Sequence, residues 1–188
     1  RDLHRRRHSF PTRRSSDLIK ATYFMLDWDN DDDEFDASDF DGNESANEQA
    51  MREIKQEDER IRSLPLMKTA GQIFKLVEAL IETLPDDDMS ANYKRILIED
   101  AIVLAPKIAA AEGADIYTFR MENAVIIKVA ARNLLNQTSA MKMLGLSEPQ
   151  YLDLLRTEIE EFRVLFVEWV KSFDRTKDIP DNWGLFNA

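Results

Sequence analysis

Residues 65–84 read PLMKTAGQIFKLVEALIETL, and their spacing decides the fold class. Leu66, Ala70, Ile73, Val77, Leu80, Ile81 and Leu84 recur at steps of three and four, while Lys68, Gln72, Lys75, Glu78 and Glu82 take the opposite side. At about 100° per residue this is one apolar stripe on a helix. Pro65 suits the first turn, and Pro85 followed by Asp86, Asp87 and Asp88 ends it.

Three further helical patterns follow. In 89–112, Ile96, Leu97, Ile98, Ala101, Ile102, Val103 and Leu104 cover nearly the whole circumference, which predicts burial on more than one side. Pro106 removes a backbone donor and crowds the carbonyl of Ile102, so a kink is expected there, with Gly113 as a left-handed cap. In 115–144, Ile116, Phe119, Ile126, Ile127, Ala130, Leu134, Met141 and Leu144 share one arc, and Gly145 closes the helix. In 148–173 the start SEPQ, from Ser147, reads as a capping box, and Tyr151, Leu152, Leu155, Ile159, Phe162, Phe166, Trp169, Val170 and Phe173 form the stripe. The expectation is an all-α chain: an up-down-up-down four-helix bundle over 65–174 with a kinked second helix. A weak polar helix at about 47–62 leads in, within a segment 49–64, and a tail occupies 175–188.

The N-terminal third is of another kind. Residues 27–48, DWDNDDDEFDASDFDGNESANE, hold eleven carboxylates and no Lys or Arg, so the segment 19–48 is expected to be disordered. Asp39, Asp41, Gly42 and Glu48 match positions of a calcium loop, but Ala37 stands where the first ligand belongs and no amphipathic helix precedes it. Residues 1–18, RDLHRRRHSFPTRRSSDL, carry six arginines against two aspartates. They admit a basic arm or a transit peptide, but HSFPTRRSSDL resembles translated sequencing-adapter read-through, and the expectation is a non-native leader. Setting it aside takes the net charge of the rest from −11 to −15 and removes both histidines from the argument.

Residues 65–144, from PLMKTAGQIFKLVEALIETLP through LAPKIAAAEG, resemble the four-helix-bundle family of ribosomal RNA intervening-sequence proteins, which includes accessory variability proteins. The residues that carry the likeness are Pro106, Ile108, Ala109, Glu112 and Gly113, with one more residue between Pro and Gly than the family pattern has and with Lys107 after the Pro. The C-terminal half, IEEFRVLFVEWVKSFD…DNWGLF, is similar to short uncharacterised bacterial helical proteins. The resemblance implies a helical bundle, often a pentameric ring, that binds protein or nucleic acid without catalysis. Nucleic-acid-binding members are basic; this chain is acidic.

Several chemistries lack their residues. There is no Cys, and no His follows His8, so zinc sites, di-iron Glu-x-x-His pairs and imidazole-based triads have no ligands or base. The glycines at 42, 71, 113, 145 and 184 form no phosphate loop. No cofactor or metal is expected. No apolar run reaches the roughly 20 residues needed to span a membrane, and the absence of Cys suits a reducing, cytoplasmic setting.

Two surface features remain. Arg120, Lys128, Arg132 and Lys142 lie on one side of the third bundle helix. They read as a phosphate-contacting stripe, or as a solvated face paired with acids on a neighbouring helix; no interleaved aromatic favours the first. Arg156, Glu160 and Arg163 stand in self-pairing order on the fourth helix. Surplus apolar residues on the third helix (Met121, Val125, Val129, Leu135, Met143) and on the fourth (Leu154, Val164, Leu165, Val167), with Trp183 and Phe186 near the end, suggest an oligomer interface. The expected function is a non-enzymatic, self-associating interaction or scaffold protein, with a nucleic-acid accessory role through the basic side as the alternative.

Overall fold

The computed structural model describes residues 44–179 and Trp183, with side chains from residue 48 onward. They lie in one compact unit, 40–188; the leader and most of the acidic segment, with Asp39, Asp41 and Gly42, fall outside the described residues, as does Phe186. Five helices and no strand occur among the described residues: α1 Glu44–Ser63, α2 Pro65–Glu82, α3 Asp88–Glu112, α4 Tyr117–Leu144 and α5 Pro149–Lys171. The acidic segment was expected to stay disordered to residue 48, yet α1 already begins at Glu44, and Glu48 pairs with Arg52 one turn later. Exposed pairs at that spacing each support a helix only slightly.

Helix α2 packs as its pattern predicts: Leu66, Ala70, Ile73, Val77, Leu80 and Leu84 are buried and Lys68, Gln72, Lys75 and Glu82 exposed. It contacts α1, α3 and α5. Asp87 both follows the end of α2 and begins α3, its carboxylate accepting from the Ser90 amide at 2.8 Å. That bond satisfies one orphan donor and holds the carboxyl below the usual range. Helix α3 continues unbroken through Pro106.

Helices α3 and α4 run antiparallel. Asn133 donates to Asp100 at 3.2 Å and Arg120 to Glu112 at 2.5 Å, so ascending α3 means descending α4. Helices α4 and α5 do the same: Lys142 donates to Asp153 at 3.1 Å, and Arg156 donates to Thr138 and Ser139 at 2.9 Å. Arg156 therefore leaves the intrahelical pairing expected of it, while Arg163 keeps Glu160 at 2.6 Å.

Three expectations are corrected. The inward arc of α4 is rotated: Ala124, Ile127, Ala130, Ala131, Leu134, Thr138 and Met141 are buried, whereas Ile116, Phe119, Ile126 and Leu144 are exposed. The helix has apolar residues on two sides, and packing selects the side with small ones, whose polar members satisfy themselves. Thr138 donates to the Leu135 carbonyl and Asn123 to that of Phe119. On α5 the N-cap is Glu148 with no side-chain cap; Ser147 lies one residue too early, its Oγ buried without a hydrogen bond, and Tyr151 is exposed. Gly113 caps α3 at φ −72°, a right-handed conformation, and only Gly145, at φ 65°, is left-handed among the described residues.

The two glycines should therefore respond oppositely to alanine. At Gly145 no atom lies within 4 Å of an added Cβ, so the cost is conformational, about 1 kcal/mol. At Gly113 the nearest atom is an ordinary 3.5 Å away, and Gly113→Ala is expected to be neutral or to stabilise by about 0.4–1 kcal/mol. Urea unfolding of both variants measures the difference.

Candidate functional site

The most enclosed polar cluster gathers at the end of α3. The Glu112 side chain is only 7 % exposed, and a carboxylate so placed must find donors. Oε1 accepts from Arg120 of α4 at 2.5 Å and from the Trp169 indole of α5 at 2.8 Å, while Oε2 meets Arg60 of α1 at 2.8 Å. One acid thus ties four helices. Arg120 lies with its guanidinium carbon 4.2 Å above the Phe173 ring, and Trp169 meets the same ring edge-on at 4.7 Å. Arg60 is half-exposed and also grips Glu57, which with Glu112 raises its pKa further above the usual arginine range. Arg120 Nε is buried without a partner.

Beside this cluster the chain returns to the start of α4. The N-cap residue Ile116 has no side chain able to accept a hydrogen bond. Asp178, sixty positions on, takes the role, accepting from the Thr118 amide at 3.1 Å and its hydroxyl at 2.7 Å. The Lys177 carbonyl accepts from the Tyr117 amide at 2.8 Å, and Lys177 pairs with Asp115. The hydrogen bond from the Thr118 hydroxyl leads in holding the Asp178 carboxyl below the usual range. The expectation of a tail at 175–188 thus requires correction for 177–178, whose carbonyl and carboxylate complete a helix end.

The four cations of α4 do not form one solvent-facing stripe. Arg120 is enclosed against Glu112 and Phe173, and Lys142 pairs with Asp153 on α5. Lys128 and Arg132 are exposed and make no side-chain ion pair among the described residues. Of the residues expected at an interface, Leu154, Val164, Val167 and Trp183 are exposed and Leu165 is half-buried. On α5 they stand among exposed Asp153, Thr157, Glu160, Glu161 and Glu168, so no continuous apolar patch results. An open groove of about 510 Å³ there is lined by Asp153, Arg156, Glu160, Glu161, Arg163 and Val164, a mixed-charge surface. Glu158 lies near this groove with Oε1 enclosed and unpartnered; burial, then Glu161, raises its pKa.

Helix α4 holds the larger apolar exposure: Phe119, Val125, Ile126, Val129, Met143 and Leu144. Phe119 and Ile126 were assigned to the core stripe, so sequence reasoning missed this part of the surface. Among the described residues no cluster of His, Cys, Asp or Glu could hold a metal ion, and no helix is long and apolar enough to cross a membrane. Comparison with protein-family models, curated proteins and solved structures finds no match.

Removing either partner of the Glu112 cluster should have unequal effects. Glu112→Ala leaves Arg120 enclosed without its counter-ion and is expected to cost about 3–5 kcal/mol. Arg60→Ala loses a half-exposed pair and should cost no more than about 1 kcal/mol. Urea denaturation measures both.

The Asp178 contact should depend on pH. Its folded-state pKa is depressed, so its stabilisation is complete above the unfolded carboxyl's pKa of about 4 and is lost as pH falls through the lower folded value. The hydrogen-exchange protection factor of the Thr118 amide should follow that fall, and Asp178→Ala should remove the dependence.

Proposed function

We propose that this chain is a non-enzymatic interaction module: an up-down-up-down four-helix bundle of α2–α5 that associates with copies of itself. The observation that carries this reading is the row of six exposed large apolar side chains on α4, a helix whose opposite side is already buried in the core. An exposed apolar strip on a packed helix is the usual mark of a surface made to be covered.

Magnitudes favour self-association over capture of a single foreign helix. The six side chains are already partly covered, so burying the remainder gains about half of roughly 1.5 kcal/mol each, or about 4–5 kcal/mol. Association costs about 4–15 kcal/mol in lost rotational and translational freedom and in ordering. One strip therefore barely offsets the lower limit. An interface with two-fold symmetry uses each residue twice and roughly doubles the gain.

The alternative, nucleic-acid contact, retains Lys128 and Arg132, two exposed cations about one turn apart on α4. Two phosphate contacts on a chain of net charge −11 support at most weak binding.

Sedimentation of the full chain at tens of micromolar tests the proposal. The expected result is a mass at least twice the monomer's 21.8 kDa; a monomer across that range overturns it.

A further inference from the structure

This inference rests on the self-association proposed above and names its surface and partner. The two hydrogen bonds between α3 and α4 set their register, from Asp100–Asn133 at one level to Glu112–Arg120 at another. Twelve residues up α3 match thirteen back along α4, which places Ile126 level with Lys107. Glu122 comes level with residues 110–111, about one helical turn further toward the Glu112 end.

At about 100° per residue Val103 and Lys107 fall on the outward side of α3, and Phe119, Glu122, Ile126 and Val129 on the adjoining outward side of α4. Phe119 and Ile126 are each 41 % exposed and Val129 52 %; Val103, Lys107 and Glu122 are half-buried. Along α4 the row repeats at steps of three and four, the spacing with which one helix receives the side chains of another. Within it stand one cation and one anion, Lys107 and Glu122, and neither side chain has an ion-pair or hydrogen-bond partner among the described residues.

We propose that this face joins two copies of the chain across a two-fold axis standing on the α3–α4 seam, midway between the levels of Lys107 and Glu122. Half a turn about that axis exchanges the two helices and reverses their levels. Each Lys107 then lies over the partner's Glu122, and each Val103 over the partner's Phe119. Every contact occurs twice, as an isologous interface requires. Charge complementarity selects the occupant: a chain that is acidic overall repels its copies, yet this face carries equal and opposite charges placed where a two-fold axis pairs them. Half-buried partners of this kind set orientation and suppress other modes of contact.

Lys107→Glu, Glu122→Lys and the double swap, each as the full chain, test the pairing by sedimentation equilibrium at tens of micromolar, with circular-dichroism melts confirming that every variant folds. Wild type is expected at twice the 21.8 kDa monomer mass. Each single swap sets like charges opposite one another twice per dimer and should weaken association by about tenfold or more, a change of at least one decade in Kd. The double swap recreates opposite pairs and should return to within about threefold of wild type. Single variants that associate as wild type does overturn this surface while leaving self-association standing, and so does a double variant no stronger than the singles. A monomeric wild type removes both.

Discussion

A carboxylate withdrawn from water has to be surrounded by donors, and at Glu112 those donors come from three other helices. Arg60, Arg120 and Trp169 approach two oxygens from α1, α4 and α5. This requirement brings the end of α3 to the start of α4 and the last turns of α5. The apolar seam supplies most of the stabilisation, since Ile73, Leu97, Ile108, Ile127, Leu134 and Ile159 are all but inaccessible. Apolar burial alone is indifferent to which end meets which. The ion cluster is directional: its oxygens accept from particular nitrogens, so it specifies how the helix ends meet. Arg120 is held there twice, by Glu112 and by the Phe173 ring, which explains why a surface-type residue is spent inside.

The same end of the molecule shows a second obligation of helical structure. The first amides of α4 have no partner within the helix, and its N-cap position is an isoleucine. Asp178 and the Lys177 carbonyl answer from the far end of the chain. The start of α4 thereby becomes dependent on residues beyond α5, and a segment that looks like trailing polar chain is part of the fold. By contrast α3 caps itself through Asp87, one residue before its first turn, and needs nothing distant.

Helix α4 links the interior to the surface. It carries more apolar side chains than one buried face can hold, and the core takes the arc rich in alanine. Its larger residues, Phe119, Ile126 and Val129, are left on the α3–α4 exterior. The helix is then amphipathic in a layered sense, with one packed side, one apolar outer side and a narrow polar remainder. A nucleic-acid stripe along it has little room, because two of the four cations that would form it serve internal pairs.

The all-α class, the positions of the bundle helices to within a few residues, and the buried stripe of α2 were legible in the chain itself. Local spacing, Pro65 at a first turn and the left-handed Gly145 are properties of neighbouring residues and need no fold to be read. What tertiary structure decided is every choice among comparable local alternatives. Residues 115–144 present two usable apolar arcs, and periodicity weighs large side chains more than small ones. Only the fit against α3 and α5 selects alanines for the inside. Glu112 stood within the stretch from Pro106 to Gly113 that sequence reading had marked, but its partners lie 52, 8 and 57 positions away along the chain, as the pairs with Arg60, Arg120 and Trp169 show. Asp178 and Thr118 are separated by 60. Such pairings join residues by distance in space, and a pattern of period 3.6 carries no information about that distance.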